Sequence, residues 1–200
     1  MAGSAVTVMS NDGHGAVAGS SSTRVRSLAG LEFDLGEGPS SEAFHRGRPV
    51  LAPDLTGEAA GSWPGFAMAA GGLGVGATFS FPLQVGAAPL GALSMYADAP
   101  RVLDSDEIGL GAAFAEIAAE VLINEPAPQA DGSLSPDLTS ILDLRPVVFQ
   151  AQGMVMIALR VTLAEALVRM QAHAFAADRG LDALALDIVE GRLDPGAVLT

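Results

Sequence analysis

Between Asn124 and Ser140 the sequence NEPAPQADGSLSPDLTS loses every apolar period and fills with Pro, Ser, Asp and Gly. Such a stretch marks a boundary between domains, because no strand or helix of a shared core runs through it. The chain is therefore expected to fold around two cores, residues 5–123 and 141–193, joined by a linker at 124–140.

The two sides of that boundary carry different periods. On the N-terminal side, Phe79, Phe81, Leu83 and Val85 alternate with Thr78, Ser80, Pro82 and Gln84, a two-residue repeat that predicts a strand with one buried face. Pro82 within it points to an edge or a bulge. Gly86 to Pro89 turns the chain into LGALSMY, so an antiparallel hairpin is expected. Shorter strands are predicted at Ala5–Met9, around Ala16–Ala18 and at Pro49–Leu51, with a short helix at Ser41–Arg46 ended by Gly47. SSSTRVRSLAG reads as a connection into LEFDLGEGPSSEAFHRGRPVLAPDL. From Asp104 the spacing becomes helical, with Ile108, Ala112, Ala115, Ala119 and Leu122 on one face and Asp104 with Glu107 as a capping-box start.

On the C-terminal side three helix-sized blocks follow one another. Pro146 is expected in the first turn of the first block, capped by Asp143 and ending at Arg160, since a proline inside a helix costs about 3 kcal/mol. Thr162 and Glu165 form a capping box for the second block, Leu163–Ala177, and Gly191 stops the third, Leu181–Glu190. None of the three is long enough to be stable alone in water, so they are expected to pack on one another.

Composition narrows the function classes. The chain has no cysteine, which removes disulfides, thiolate metal sites and cysteine nucleophiles. Its net charge of −13 repels phosphate backbones and anionic membranes on average. The longest apolar stretch, Ile108–Ile123, contains Glu116 and Glu120 and falls short of the roughly 20 residues of a membrane span. With no basic N-terminal signal region, a cytoplasmic location away from membranes is expected.

No catalytic residue and no metal ligand set emerges, so an enzyme is not expected. His14, His45 and His173 are far apart, no G-x-S-x-G elbow accompanies the serines, and no base is placed by spacing. GGLGVGA at Gly71–Ala77 precedes a strand, whereas a nucleotide-binding glycine loop follows one and opens a helix. Trp63, Phe66, Phe79, Phe81 and Tyr96 are candidates for a small-molecule pocket, with core packing as the alternative. The sequence names no cofactor.

These motifs carry a resemblance. LGEGPSSEAFHRGRPVLAPDL, then Trp63-Pro64-x-Phe66, then FPLQVGAAPLGALSMY resemble, in order, a GAF domain of the actinobacterial regulatory type. AQGMV at Ala151–Val155, TLAEAL at Thr162–Leu167 and MQAHAFA at Met170–Ala176 resemble an ANTAR domain, the three-helix RNA-binding module of transcription antiterminators. The implied fold class is α+β: a GAF-like antiparallel sheet with flanking helices, without the family's first helix, followed by an all-α three-helix ANTAR-like module.

The implied function is a one-component regulator. Its GAF part senses a small-molecule ligand or state, and its ANTAR part, as a homodimer, binds a hairpin leader in nascent mRNA and controls transcription termination. The positions proposed to meet RNA are Gln152, Arg160, Arg169, Gln171 and His173; family members often carry lysine at the place of Gln152 and arginine at that of Gln171. Across 141–193 five arginines stand against six carboxylates, and RNA affinity depends on cations. The rival expectation is therefore a protein-interaction or dimerisation module whose RNA-binding surface has decayed.

Overall fold

A computed structural model of the chain describes residues 2–10, 15–57, 61–124 and 145–198. The chain divides into two compact units, one of residues 1–33 and 37–142 and one of 34–36 and 143–200. The expected linker lies outside the described residues apart from Asn124, as do His14 and the expected cap Asp143.

The first unit is built on a five-stranded antiparallel sheet of order β2-β1-β5-β4-β3. Its strands are β1 (Gly3–Met9), β2 (Gly15–Ser20), β3 (Val50–Ala52), β4 (Ala77–Val85) and β5 (Ala88–Ala97). Four helices flank it: α1 (Thr23–Leu35), α2 (Pro39–Arg46), α3 (Pro64–Gly72) and α4 (Ser105–Asn124). β4 and β5 form the expected hairpin, with Gly86 at φ +58° in the tight turn. β3 pairs only with Thr78–Ser80, so Pro82 sits where β4 is itself an edge and a missing N–H costs no ladder bond.

Both faces of β4 are covered, which corrects the expectation of a single buried face. Phe79, Phe81 and Leu83 join Leu93 and Ala97 of β5 in a core closed by Ala115 and Ala119 of α4. Gly111 lets α4 approach closely, since a Cβ there would lie 2.4 Å from the Phe81 ring. Thr78 and Ser80, on the opposite face, are fully buried as well.

α1 replaces the expected connection. Its buried residues Val25, Leu28, Ala29, Glu32 and Phe33 repeat at i, i+3, i+4, i+7 and i+8, the stripe of an amphipathic helix. A carboxylate in that stripe hid the period.

The second unit contains α5 (Pro146–Leu159), α6 (Leu163–Ala176), α7 (Leu181–Val189) and a 3₁₀ turn at Pro195–Ala197. Pro146 occupies the first turn of α5, where a missing N–H is harmless. Val148, Ala151, Val155, Leu167, Met170, Leu184 and Ile188 lie in one core. Fully buried Ala151, Ala166 and Ala185 leave little side chain between the helices. Thr162 Oγ1 accepts from Glu165 N at 3.2 Å, but Glu165 turns to Arg169 instead of returning to the cap. Half of the expected capping box forms.

Candidate functional site

The polar residues of LGEGPSSEAF and WPGF are spent on holding helix ends. Glu32 Oε2 accepts from Ser40 N at 2.7 Å, Ser40 Oγ at 2.6 Å and Ser41 N at 3.4 Å, so a carboxyl from α1 closes the N-terminus of α2. Glu37 Oε1 does the same for α3, accepting from Gly65 N at 2.7 Å and Phe66 N at 3.2 Å. Trp63 Nε1 donates to Glu42 Oε2 at 3.1 Å. Helix N-termini favour such oxygens because their first N–H groups have no partner within the helix.

Gly38 is required by this cradle. It adopts φ +154°, and a Cβ would lie 2.2 Å from Glu32 Oε2. A side chain at 38 would displace the carboxyl.

Glu32 is fully buried. Desolvation by burial raises its pKa from 4.5 to about 7, against the lowering effect of the bonds from Ser40 and Ser41. A buried carboxyl resists ionisation unless paired, and no charged side chain among the described residues acts on this one. Its Oε1 has no hydrogen-bond partner among the described residues.

The sheet face opposite α4 supplies the rest of the site. Cross-strand pairing sets Thr78 beside Tyr96 and Ser80 beside Ser94; Ala5 lies beside Ser94 and Thr7 beside Ala92. All but Ala5, which is 2% exposed, are completely buried. The Ser80 and Ser94 hydroxyls bond each other at 2.8 Å, and Thr7 Oγ1 donates to Ala92 O at 3.1 Å. Burial, followed by the nearby Glu32 charge, pushes the Tyr96 phenol well above its ordinary pKa. This interior face carries hydroxyls and one carboxyl where a solvent-facing set was expected.

The five residues expected to line a ligand pocket are not brought together. Tyr96 lies on this polar face, whereas Phe79 and Phe81 belong to the opposite one and pack in the α4 core. That placement corrects their assignment, since a side chain committed to helix packing lines no cavity on the other side. Phe66 is buried on α3, and Trp63 lines a separate open cleft of about 510 Å³ with Glu42, Arg46, Arg48 and Asp54. Glu32, Ser40 and Thr78 were missed. The usable signal was a lone glutamate in an apolar helical stripe eight residues before the serine that it meets.

In the second unit the RNA-contact candidates separate into interior and surface. Gln152 is fully buried, and its Nε2 donates to Leu163 O at 2.7 Å, tying α5 to the first turn of α6. Gln171 is buried on α6. These two placements correct their assignment as surface contacts. Arg169 pairs with Glu165 at 2.7 Å and His173 is half-buried one turn further along.

Arg145 reaches Asp182 at 3.6 Å, and Arg179 and Arg192 share Asp187 at 2.6 and 2.5 Å. Arg160, exposed in the left-handed region at φ 57°, has no ion-pair partner among the described residues. Phe175, 56% exposed, is an aromatic surface that the candidate set omitted.

Among the described residues no group of His, Asp or Glu is arranged to hold a metal ion, and no single helix is long and apolar enough to cross a membrane. No curated protein is similar to the chain in sequence. In structure it is similar to the GAF domain region of a protein from Geobacter sulfurreducens PCA, with TM-score 0.50, 17% identity, and coverage of 62% of this chain and 82% of that one. It is also similar to a type II free methionine-R-sulfoxide reductase from Thermoplasma acidophilum, with TM-score 0.45, 13% identity, and coverage of 60% and 78%. Residues 1–122 match the GAF domain, more than half of the chain, which therefore belongs to the GAF family of sensory domains found in signalling proteins.

Proposed function

We propose that this chain is a one-component regulator in which the GAF domain senses a small molecule and the three-helix unit, as a homodimer, binds hairpin RNA in nascent mRNA to control transcription termination. The observation that carries the output half is that AQGMV on α5 and TLAEAL and MQAHAFA on α6, the series resembling an ANTAR domain, pack with α7 around one core and leave Phe175 exposed. Single-stranded loop bases are recognised by stacking on such aromatics and by hydrogen bonds. Arg160 adds a cation without an ion-pair partner among the described residues, and Arg169 and His173 lie on the same helix as Phe175.

The full chain should bind a two-hairpin leader RNA at low salt, with loss of binding when the loop sequences are scrambled. Phe175→Ala should weaken that binding about tenfold, the equivalent of one lost base stack. No binding at low salt, or indifference to loop sequence, sinks the RNA reading.

A second reading is favoured by the pairing of Arg145, Arg169, Arg179 and Arg192 with carboxylates, which leaves few cations for phosphate. On that reading the three helices are a protein-interaction or dimerisation module. It expects a dimer in solution and no specific transcript recovered with the protein from cells.

A further inference from the structure

Arg48 is the arginine of the GAF unit that the fold leaves unused. Arg24 pairs with Asp98, Arg46 with Glu42 and Arg101 with Glu107, and Arg26 donates to Val17 O. Exposed Arg48 has neither an ion pair nor a hydrogen bond among the described residues. The chain holds 23 acidic side chains for ten basic ones, so a shortage of carboxylates does not explain it.

Arg48 lines the open cleft of about 510 Å³ that lies against β3, the last strand of the sheet. Small-molecule sites span about 300–1,000 Å³. Gly47 sets the arginine there. It ends α2 in the left-handed region at φ +61°, where a Cβ would lie 2.7 Å from Gln84 Nε2, and turns the chain into Pro49 and β3. Arg46 and Arg48 thus flank one turn and line one cleft.

The chemistry of an occupant follows from which polar groups of the cleft are still free. Glu42 is committed on both oxygens, Oε1 to Arg46 Nη1 at 2.5 Å and Oε2 to Trp63 Nε1 at 3.1 Å. Asp54 is committed to its own turn. Its Oδ1 accepts from Thr56 Oγ1 at 2.6 Å and Thr56 N at 2.8 Å, and these bonds, with one from Gly57 N, hold the carboxyl below its ordinary pKa. Both carboxylates have their donors, whereas the Arg48 guanidinium has no acceptor.

A guanidinium is a planar fork that fits a carboxylate through two parallel N–H···O bonds. Beside it Pro49, Leu51 and Pro53 form an apolar wall, with Leu51 39% exposed, which suits a hydrocarbon body. A dianion such as a phosphate monoester would meet the charges of Glu42 and Asp54 in the same cleft, whereas a single negative charge is balanced by Arg48 alone.

We infer that the cleft between α2 and β3 binds a small organic carboxylate with an apolar body, its carboxylate on Arg48 and its body against Pro49, Leu51 and Pro53. The inference rests on the reading of this unit as a small-molecule sensor and names both the class of molecule and the place where it binds.

Trp63 is the single tryptophan of the chain and lines the same cleft, so its fluorescence reports on it. The test titrates the full chain with cyclohexanecarboxylate and hexanoate, each beside its amide and the ammonium ion of the same skeleton, and with cyclohexyl phosphate. Trp63 emission and heat are followed together. The carboxylates should bind with a change in emission, and the amides and ammonium ions at least about tenfold more weakly. Arg48→Gln, an exposed substitution checked for folding by circular dichroism, should lose at least about tenfold in carboxylate affinity. Arg26→Gln makes the same change of charge on α1 and should lose less than about twofold, which separates the fork from net charge.

Equal carboxylate affinity in wild type and Arg48→Gln overturns the assignment, as does an equal loss in Arg48→Gln and Arg26→Gln. Amide or ammonium binding as strong as the carboxylate's, with the Trp63 response retained, overturns the ligand class and leaves a sensory cleft in place; tighter binding of cyclohexyl phosphate does the same. Heat without a Trp63 response overturns the site and leaves a ligand elsewhere in the sensor. Silence of every probe overturns the cleft as a carboxylate site, and the sensor reading then rests on whether a small molecule co-purifies with the full chain, read by mass spectrometry.

Discussion

One face of the GAF sheet presses Phe79, Phe81, Leu83 and Leu93 against α4, while the other presents Thr7, Thr78, Ser80, Ser94 and Tyr96 to the α1–α2 side. Both are buried, and the first is filled in the ordinary way, by large apolar side chains in mutual contact. The second combines small side chains with a carboxyl whose ionisation the interior opposes. Hydrophobic packing explains the first face, whereas the polar one departs from what stability alone would choose.

Truncation on the filled face should cost most. Phe81→Ala should destabilise the chain by about 3–5 kcal/mol, read by urea denaturation, because the ring fills the contact with Gly111 of α4 and leaves a cavity. A loss under 1 kcal/mol would erase the distinction between the two faces.

On the polar face the sign reverses. A carboxyl whose pKa is raised from 4.5 to about 7 binds its proton more tightly folded than unfolded, so stability is full below pH 4.5 and falls as pH rises through 7. The shift corresponds to about 3 kcal/mol lost by pH 8. Glu32→Gln should flatten this dependence and leave the variant more stable than wild type at pH 8, up to that amount. A variant equally pH-dependent would show that another group titrates.

A smaller effect separates the cradle from the carboxyl that it holds. Gly38→Ala should destabilise by about 2 kcal/mol, through strain at φ +154° and collision with Glu32. Combining it with Glu32→Gln should not restore stability, since the backbone strain persists. Full rescue would place the whole cost in the carboxyl.

Tyr96→Phe should change stability by less than about 1 kcal/mol, because it removes a hydroxyl that has no partner among the described residues. A loss of 2 kcal/mol or more in thermal denaturation would mean that the hydroxyl is already satisfied in the folded protein.

The filled face was legible in the sequence because large apolar residues at a two-residue period point to a core whatever covers them. The polar face was misread for the same reason: Thr78, Ser80 and Gln84 carry the signature of a solvated side, and alternation says nothing about a helix lying over them. Of these three only Gln84 comes near the simple rule, being half-buried. Glu32 broke the stripe of α1 and concealed both the helix and the site. In the second unit, spacing located the three helices and the Thr162 cap, but a glutamine looks alike at a surface and in an interior. Gln152 is inside because its amide reaches Leu163 O, a contact set by the fold of α5 on α6.

Titration of the Glu32 side-chain carboxyl, followed by its ¹³C chemical shift in the full chain and assigned by its disappearance in Glu32→Gln, tests the interior carboxyl most directly. The account predicts a midpoint near 7 in the absence of ligand. A midpoint near the ordinary 4.5 would mean that the carboxyl is solvated or paired with a cation, and would contradict a buried Glu32 held without a counter-charge.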